Sequence, residues 1–193
     1  MSQIIFNSFP RSANVYLGHV SSKVLFIGYA TVHIPEIFSI KEIYNVTVFR
    51  KPEDAISSFI NKQLDVKPDM SDQDIRYSAS VSSELYKKYM MYAKQNYDHI
   101  YVAEFNNIVD NTLPHFIKMS DIFNIKLNDN FEEKFNNISL TGKLWEDKYD
   151  GHYPRSKDAD RIKIEKIVSE LEYIQELNKE YEEFIGVHQT YRV

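Results

Sequence analysis

The chain has 193 residues, 43% of them hydrophobic and 14% aromatic, enough to bury one substantial core and to favour a single domain. A net charge of −5 provides no basic surface for nucleic acid, and the absence of cysteine removes disulfides and thiolate metal sites and suits a reducing compartment. No basic-then-apolar leader opens the sequence and no uncharged stretch approaches the roughly 18 residues of a membrane span, so a cytoplasmic protein without membrane contact is expected.

Taken in chain order, residues 3–7 are short, apolar and β-branched, and they run into Ser8-Phe9-Pro10-Arg11-Ser12-Ala13-Asn14, a turn with capping residues that predicts strand, loop, helix. The helix is expected to end near Ser22 and to give way to a strand toward Val32. Residues 45–49 alternate as a strand does, and Lys51-Pro52-Glu53-Asp54 then opens a helix, with proline at its first position and acids in its first turn. Ala55, Ile56, Phe59 and Ile60 give that helix one apolar face. A polar loop is expected over residues 65–76, then a helix over 80–95, a strand over 99–104 and a helix around 112–123.

The stretch 124–154, which carries the single tryptophan Trp145, reads as polar and irregular. A long final helix follows, with Ile164, Ile167, Leu171, Ile174 and Tyr181 at spacings of three, four and seven. That stripe suits docking on the domain or, as the alternative, the seam of a homodimer. Strands separated by helices predict an α/β fold with a mostly parallel central sheet flanked by helices, whose ligand site lies at the carboxyl ends of the strands. Two glycosylation-type triplets, at 45–47 and 137–139, are expected by chance.

The turn from Pro10 to Tyr16 lies where a strand becomes a helix, and unpaired N–H groups and the positive end of a helix dipole there bind phosphate or sulfate. Arg11 adds a fixed positive fork, and Ser12 and Asn14 add short polar donors. The paired glycines and lysine of the Walker loop are absent, which disfavours an ATP or GTP kinase. Arg50 stands at a strand's carboxyl end, Ser58 lies off the apolar face of the following helix, and His33 falls between the two basic segments. Histidine suits a general base because its ordinary pKa lies near neutrality. The histidines are scattered, and no pair stands with carboxylates at a metal-ligand spacing.

These segments resemble those of the PAPS-dependent sulfotransferases. Pro10-Arg11-Ser12-Ala13-Asn14-Val15-Tyr16 is similar to the family's 5′-phosphosulfate loop P-K-S-G-T-T-W, with Ala13 where glycine allows positive φ and a closer backbone approach. Val48 to Phe59 resembles the 3′-phosphate segment V-x-R-N-P-x-D-x-x-x-S, which implies that Arg50 and Ser58 bind the 3′-phosphate. Val32-His33-Ile34-Pro35 is similar to the H-L-P of the cytosolic enzymes, which implies that His33 is the base; Thr31 stands where the family has lysine, and the short distance from the loop to His33 implies a pared-down acceptor pocket. Tyr101 to Ile108 resembles the strand-ending Y-E-D-L/M and places Phe105 near adenine, while Gly151-His152-Tyr153-Pro154 is weakly similar to the glycine-rich loop that closes over the cofactor.

The resemblance covers residues 3–125 in order and implies a P-loop NTPase-like sulfotransferase fold. It also implies PAPS as donor and 3′,5′-bisphosphoadenosine (PAP) as product, transfer to an acceptor hydroxyl or amine, and a cofactor set of Arg11, Ser12, Ala13, Asn14, Val15, Tyr16, Arg50, Ser58 and Phe105. His33 and Arg11 are the catalytic pair so implied, and Tyr16 is expected either to stack on adenine or to pack in the core. A non-catalytic binding or assembly protein on the same fold and a P-loop kinase are the alternatives.

Overall fold

Strand β1 (Gln3–Asn7) is the central thread of the sheet, and its side chains are buried after the first residue. The computed structural model describes residues 3–10, 12–64, 66–140 and 159–190. Helix α1 (Asn14–Val24) returns the chain to β2 (Gly28–Val32), and a 3₁₀ turn (Pro35–Ser39) leads into β3 (Tyr44–Phe49). Pro52 at the first turn of α2 (Pro52–Gln63) fits because its missing N–H falls where a helix has no internal acceptor. Helix α3 (Asp72–Gln95) precedes β4 (Ile100–Glu104), and α4 (Phe105–Asp110), α5 (Thr112–Phe123) and α6 (Phe131–Leu140) follow. Helices α7 (Ala159–Ser169) and α8 (Glu172–His188) complete the described chain.

The four strands are parallel throughout, in the order β2-β1-β3-β4. From β1 the chain moves first to one side and then, through β3, to the other, so the crevice between β1 and β3 is the place where such sheets bind ligands. Both faces are covered. Ile4, Phe6, Val46, Val48, Tyr101 and Ala103 pack against α1, α5 and α6, whereas Phe49, Ile100 and Val102 pack against α2, α3, α7 and α8. Period-two alternation sorts the strand residues between these two cores.

Gly18 sets the distance of α1 from β2, because a Cβ there would fall 2.4 Å from the Tyr29 ring. At the far edge of the sheet, Thr190 donates its N–H to the Val102 carbonyl at 2.9 Å, and its hydroxyl accepts from Val102 N at 2.8 Å, closing one face of β4. Among the described residues no helix is long and apolar enough to cross a membrane.

Several boundaries differ from the sequence reading. Helix α3 begins at Asp72, eight residues before the expected start, because Ser71 caps it: its hydroxyl accepts from Asp74 N at 3.1 Å while the Asp74 carboxylate accepts from Ser71 N at 2.9 Å. The stretch expected to be irregular contains α6, and α4 fills the interval before α5. Trp145 and Gly151 to Pro154 lie outside the described residues.

The long final helix is two helices that turn at Leu171, which is extended at φ −78° and ψ 119°. The turn lets both halves lie against α2 and α3, and the stripe of Ile164, Ile167, Leu171, Ile174 and Tyr181 is buried within the chain. Ile174→Ala is therefore expected to lower unfolding stability by about 2–5 kcal/mol, whereas Ile162→Ala, at an exposed position of α7, should change it by less than about 0.5 kcal/mol. Urea denaturation at two protein concentrations checks this, since a stripe docked inside one chain gives a loss that does not depend on concentration.

Candidate functional site

A parallel sheet delivers the carboxyl ends of all its strands to one side, and here each end is followed at once by a residue of the expected site. The loop from Ser8 to Ala13 follows β1, His33 follows β2, Arg50 follows β3 and Phe105 follows β4.

Ala13 adopts φ 64° and ψ 10°, the left-handed conformation that favours glycine, and no side chain caps the first turn of α1. The N–H groups of that turn are thus left to a ligand, and the helix dipole favours an anion there. Ser12 is 1% exposed, and its hydroxyl has no hydrogen-bond partner among the described residues. A buried hydroxyl in that state costs about 1–3 kcal/mol, which a bound oxyanion accepting from it would relieve. Asn14 is also buried; its amide donates weakly to the Val32 carbonyl at 3.4 Å, tying the loop to the end of β2, and its Oδ1 is unpartnered among the described residues.

Val15 occupies the first turn of α1, and Arg11 lies outside the described residues. Tyr16 is half-buried against the core beneath α1, with its hydroxyl 3.5 Å from Thr112 Oγ1.

His33 is exposed, but its ring orientation is fixed. Nδ1 lies 2.7 Å from the Ser8 carbonyl, which can only accept, so Nδ1 carries a proton and in the neutral ring Nε2 is the acceptor. The next residue is clamped as well: the Asn7 amide donates to the Ile34 carbonyl at 2.6 Å, and Asn7 Oδ1 accepts from Ile34 N at 3.0 Å. Ser8 uses its side chain in the other direction, accepting from Val48 N at 2.7 Å. The base position, the start of the anion loop and the end of β3 are therefore joined through two consecutive residues.

Arg50 is half-buried, with its guanidinium 5.0 Å above the Phe105 ring and its carbonyl accepting from the buried Tyr86 hydroxyl. Burial lowers its pKa; Asp54 and Glu165 pull it back up, and neighbouring Arg161 pushes it down. Arg161 of α7 donates from Nε to Glu165 Oε1 at 2.7 Å. Arg50 thus lies in the field of a second guanidinium as well as of two carboxylates. Sequence reading did not single out Arg161, and no local pattern marks it, because its nearness to Arg50 comes only from the docking of α7 beside α2. Ser58 is half-buried on α2; Ser57, next to it, is buried, with a hydroxyl that has no partner among the described residues.

Beyond Phe105, an open cleft of about 480 Å³ is lined by Glu104, Asn107, Tyr181, Glu182 and Gln189 among others. Its Asn107 wall is held from inside: His115 Nε2 lies 3.2 Å from Asn107 Oδ1 and His115 Nδ1 lies 2.8 Å from the Tyr101 hydroxyl. With Oδ1 accepting, the imidazole carries its proton on Nε2 and Tyr101 donates to Nδ1. Burial pushes the His115 pKa down to about 4, so the relay is uncharged at neutral pH.

No family model matches the sequence, and no curated protein does. Among solved structures, mouse sulfotransferase SULT7A1 complexed with PAP is similar to this chain with a TM-score of 0.55 and 12% sequence identity, covering 97% of this chain and 84% of that chain. The α/β architecture is thus a sulfotransferase-like fold, a parallel sheet flanked by helices.

The left-handed alanine generates a prediction. Left-handed backbone costs a non-glycine residue about 1–2 kcal/mol, while added freedom of the unfolded chain takes back about 0.4–1 kcal/mol when glycine is introduced. Ala13→Gly is therefore expected to raise stability by up to about 1.5 kcal/mol, measured by urea denaturation.

Proposed function

We propose that this protein is a PAPS-dependent sulfotransferase that moves a sulfuryl group to an acceptor hydroxyl or amine. The observation that carries the reading is the buried Ser12 hydroxyl, without a partner among the described residues, at the uncapped start of α1, with a histidine at the end of the next strand whose Nδ1 is bound to the Ser8 carbonyl. The donor set fits the cofactor's two anionic ends. Ser12, the backbone of residues 13–16 and Arg11 would hold the 5′-phosphosulfate, and Arg50 with Arg161 and Ser58 would hold the 3′-phosphate. Phe105 and the cleft beside it would take the adenine. The likeness to a sulfotransferase solved with PAP supports the fold on which this reading rests.

PAPS supplies the activated sulfuryl group. For a hydroxyl acceptor, His33 Nε2 takes the proton as the oxygen–sulfur bond forms, the bond from sulfur to the 5′-phosphate oxygen breaks, and PAP departs with that electron pair. Arg11 and the N–H groups of α1 stabilise the charge that develops on the departing oxygen. Ser8 fixes which histidine nitrogen faces the acceptor, so the base needs no tautomeric rearrangement before reaction.

Arg50→Ala should weaken binding of PAP at least about tenfold more than binding of 5′-AMP, the loss expected when one charged hydrogen-bond donor to the 3′-phosphate is removed. Calorimetry with both ligands measures the difference; equal losses would detach Arg50 from the 3′-phosphate.

His33→Ala should leave PAP affinity within about twofold while lowering transfer from radiolabelled PAPS by about 10²- to 10⁴-fold. Transfer at the native rate would place the base elsewhere, and PAP binding without transfer to any component of a metabolite extract would favour a binding protein on this fold.

A further inference from the structure

The two edges of the sheet are treated differently. On the β4 side the Thr190 backbone and hydroxyl close on Val102. On the β2 side the amino end is tied down, by Phe26 N donating to the Lys126 carbonyl at 2.8 Å and Asn128 N donating to the Val24 carbonyl at 2.8 Å. From Gly28 onward, however, no described strand pairs with β2 beyond its contact with β1. Alternate residues of β2 therefore direct their N–H and C=O groups outward.

Edges of this kind are ordinarily blunted by lysine, proline, a bulge or a covering element. Residues 24–35 contain no aspartate, glutamate, lysine or arginine. Large apolar side chains stand open along the same run, with Phe26 73%, Tyr29 39% and Ile34 50% exposed. The strand ends at Val32, one residue before the exposed His33.

We propose that the open edge of β2 is the docking strand for the acceptor, and that the acceptor is an extended, uncharged peptide segment presenting a tyrosine or serine hydroxyl to His33. This rests on the sulfotransferase reading and names its substrate class. Continuity with that site selects the occupant. An acceptor hydroxyl has to reach His33, and a strand added to the edge of β2 would end beside that residue, which directly follows Val32. Main-chain pairing supplies affinity, and the exposed Tyr29 and Ile34 supply side-chain contacts. A second copy paired along the full edge would instead lay its own chain across His33 and close the approach the reaction needs. In the transfer, the peptide hydroxyl gains the sulfuryl group and yields its proton to Nε2, and PAP leaves.

The test uses the full chain, with and without saturating PAP, and a pool of nine-residue peptides carrying a central tyrosine or serine flanked by valine and threonine. Hydrogen exchange is read at individual amides. The expected result is that outward amides of residues 28–32 exchange about tenfold more slowly with peptide, that β4 amides do not change, and that N-methylation of every second peptide amide in one register, but not in the other, removes the protection. With PAPS present, the protected peptides should be sulfated in preference to N-acetyltyrosine amide. Lack of slowing at 28–32 with every peptide overturns the proposal, as does protection that appears without peptide and rises with protein concentration alongside a doubled mass in light scattering, since that edge then belongs to a second copy. Failure of PAP to bind in calorimetry, with peptide protection intact, removes the sulfotransferase reading and leaves the docking edge standing.

Discussion

Two small polar residues at the carboxyl end of β1, Asn7 and Ser8, hold the site side of this protein together. Both are fully buried. Asn7 occupies the backbone donor and acceptor of Ile34, Ser8 offers its carbonyl to His33 and its hydroxyl to Val48, and the Tyr89 hydroxyl approaches Asn7 Oδ1 at 3.5 Å. Parallel strands diverge as they leave a sheet, and the chain just past their ends has no ladder to satisfy it. Side chains that bridge from one strand end to the next supply the missing partners and fix the loops relative to one another. Apolar residues of the same size would leave the Ile34 backbone groups and Val48 N without these partners, at about 1–3 kcal/mol for each group that stays buried.

The groups left without partners contrast with this. Helix α3 has a reciprocal cap at Ser71, while α1 has none and starts from a strained alanine. Ser12 and Asn14 are buried with oxygens that have no partner among the described residues at that same start. On the other side of the crevice, Arg50 and Arg161 are held near one another under the restraint of Asp54 and Glu165. The uncapped N–H groups of α1 and the Ser12 hydroxyl are donors that an anion would satisfy, whereas Asn14 Oδ1 is an acceptor and would need a donor. Departures from local consistency gathered in one place are what a binding site is expected to show.

Much of this was readable in the chain because it is written in turn chemistry. Ser8 to Asn14 announced a strand-to-helix passage, Pro52 with Glu53 and Asp54 marked the start of α2, and the alternation in residues 45–49 fixed β3. Ala13 stands where the resembled loop has glycine, and although alanine resists positive φ the backbone there is left-handed. The first two turns of α3 were misread because Asp72, Gln73 and Asp74 look outward, and a solvated helix face has the composition of a loop. The Ser71 to Asp74 capping pair was present in the sequence and was the signal to weigh. The break at Leu171 has neither glycine nor proline to announce it; it follows from the surface that α7 and α8 cover. Arg161 and the Asn7 bridge were not legible for the same reason, since each acquires its role from elements that only folding brings close.

The closure of β4 by Thr190 has a consequence for the order in which the molecule can be assembled. The partners Val102 and Thr190 are 88 residues apart, so while the chain is being synthesised β4 exists for a long interval with its outer edge unpaired. During that interval the outer edge of β4 is open to strands of other chains, as is the edge of β2 that no described strand covers, whose flanking run 24–34 carries no Asp, Glu, Lys or Arg. Once residue 190 has emerged and settled on Val102, one border is withdrawn and the nascent sheet changes from a two-ended template into a one-ended one.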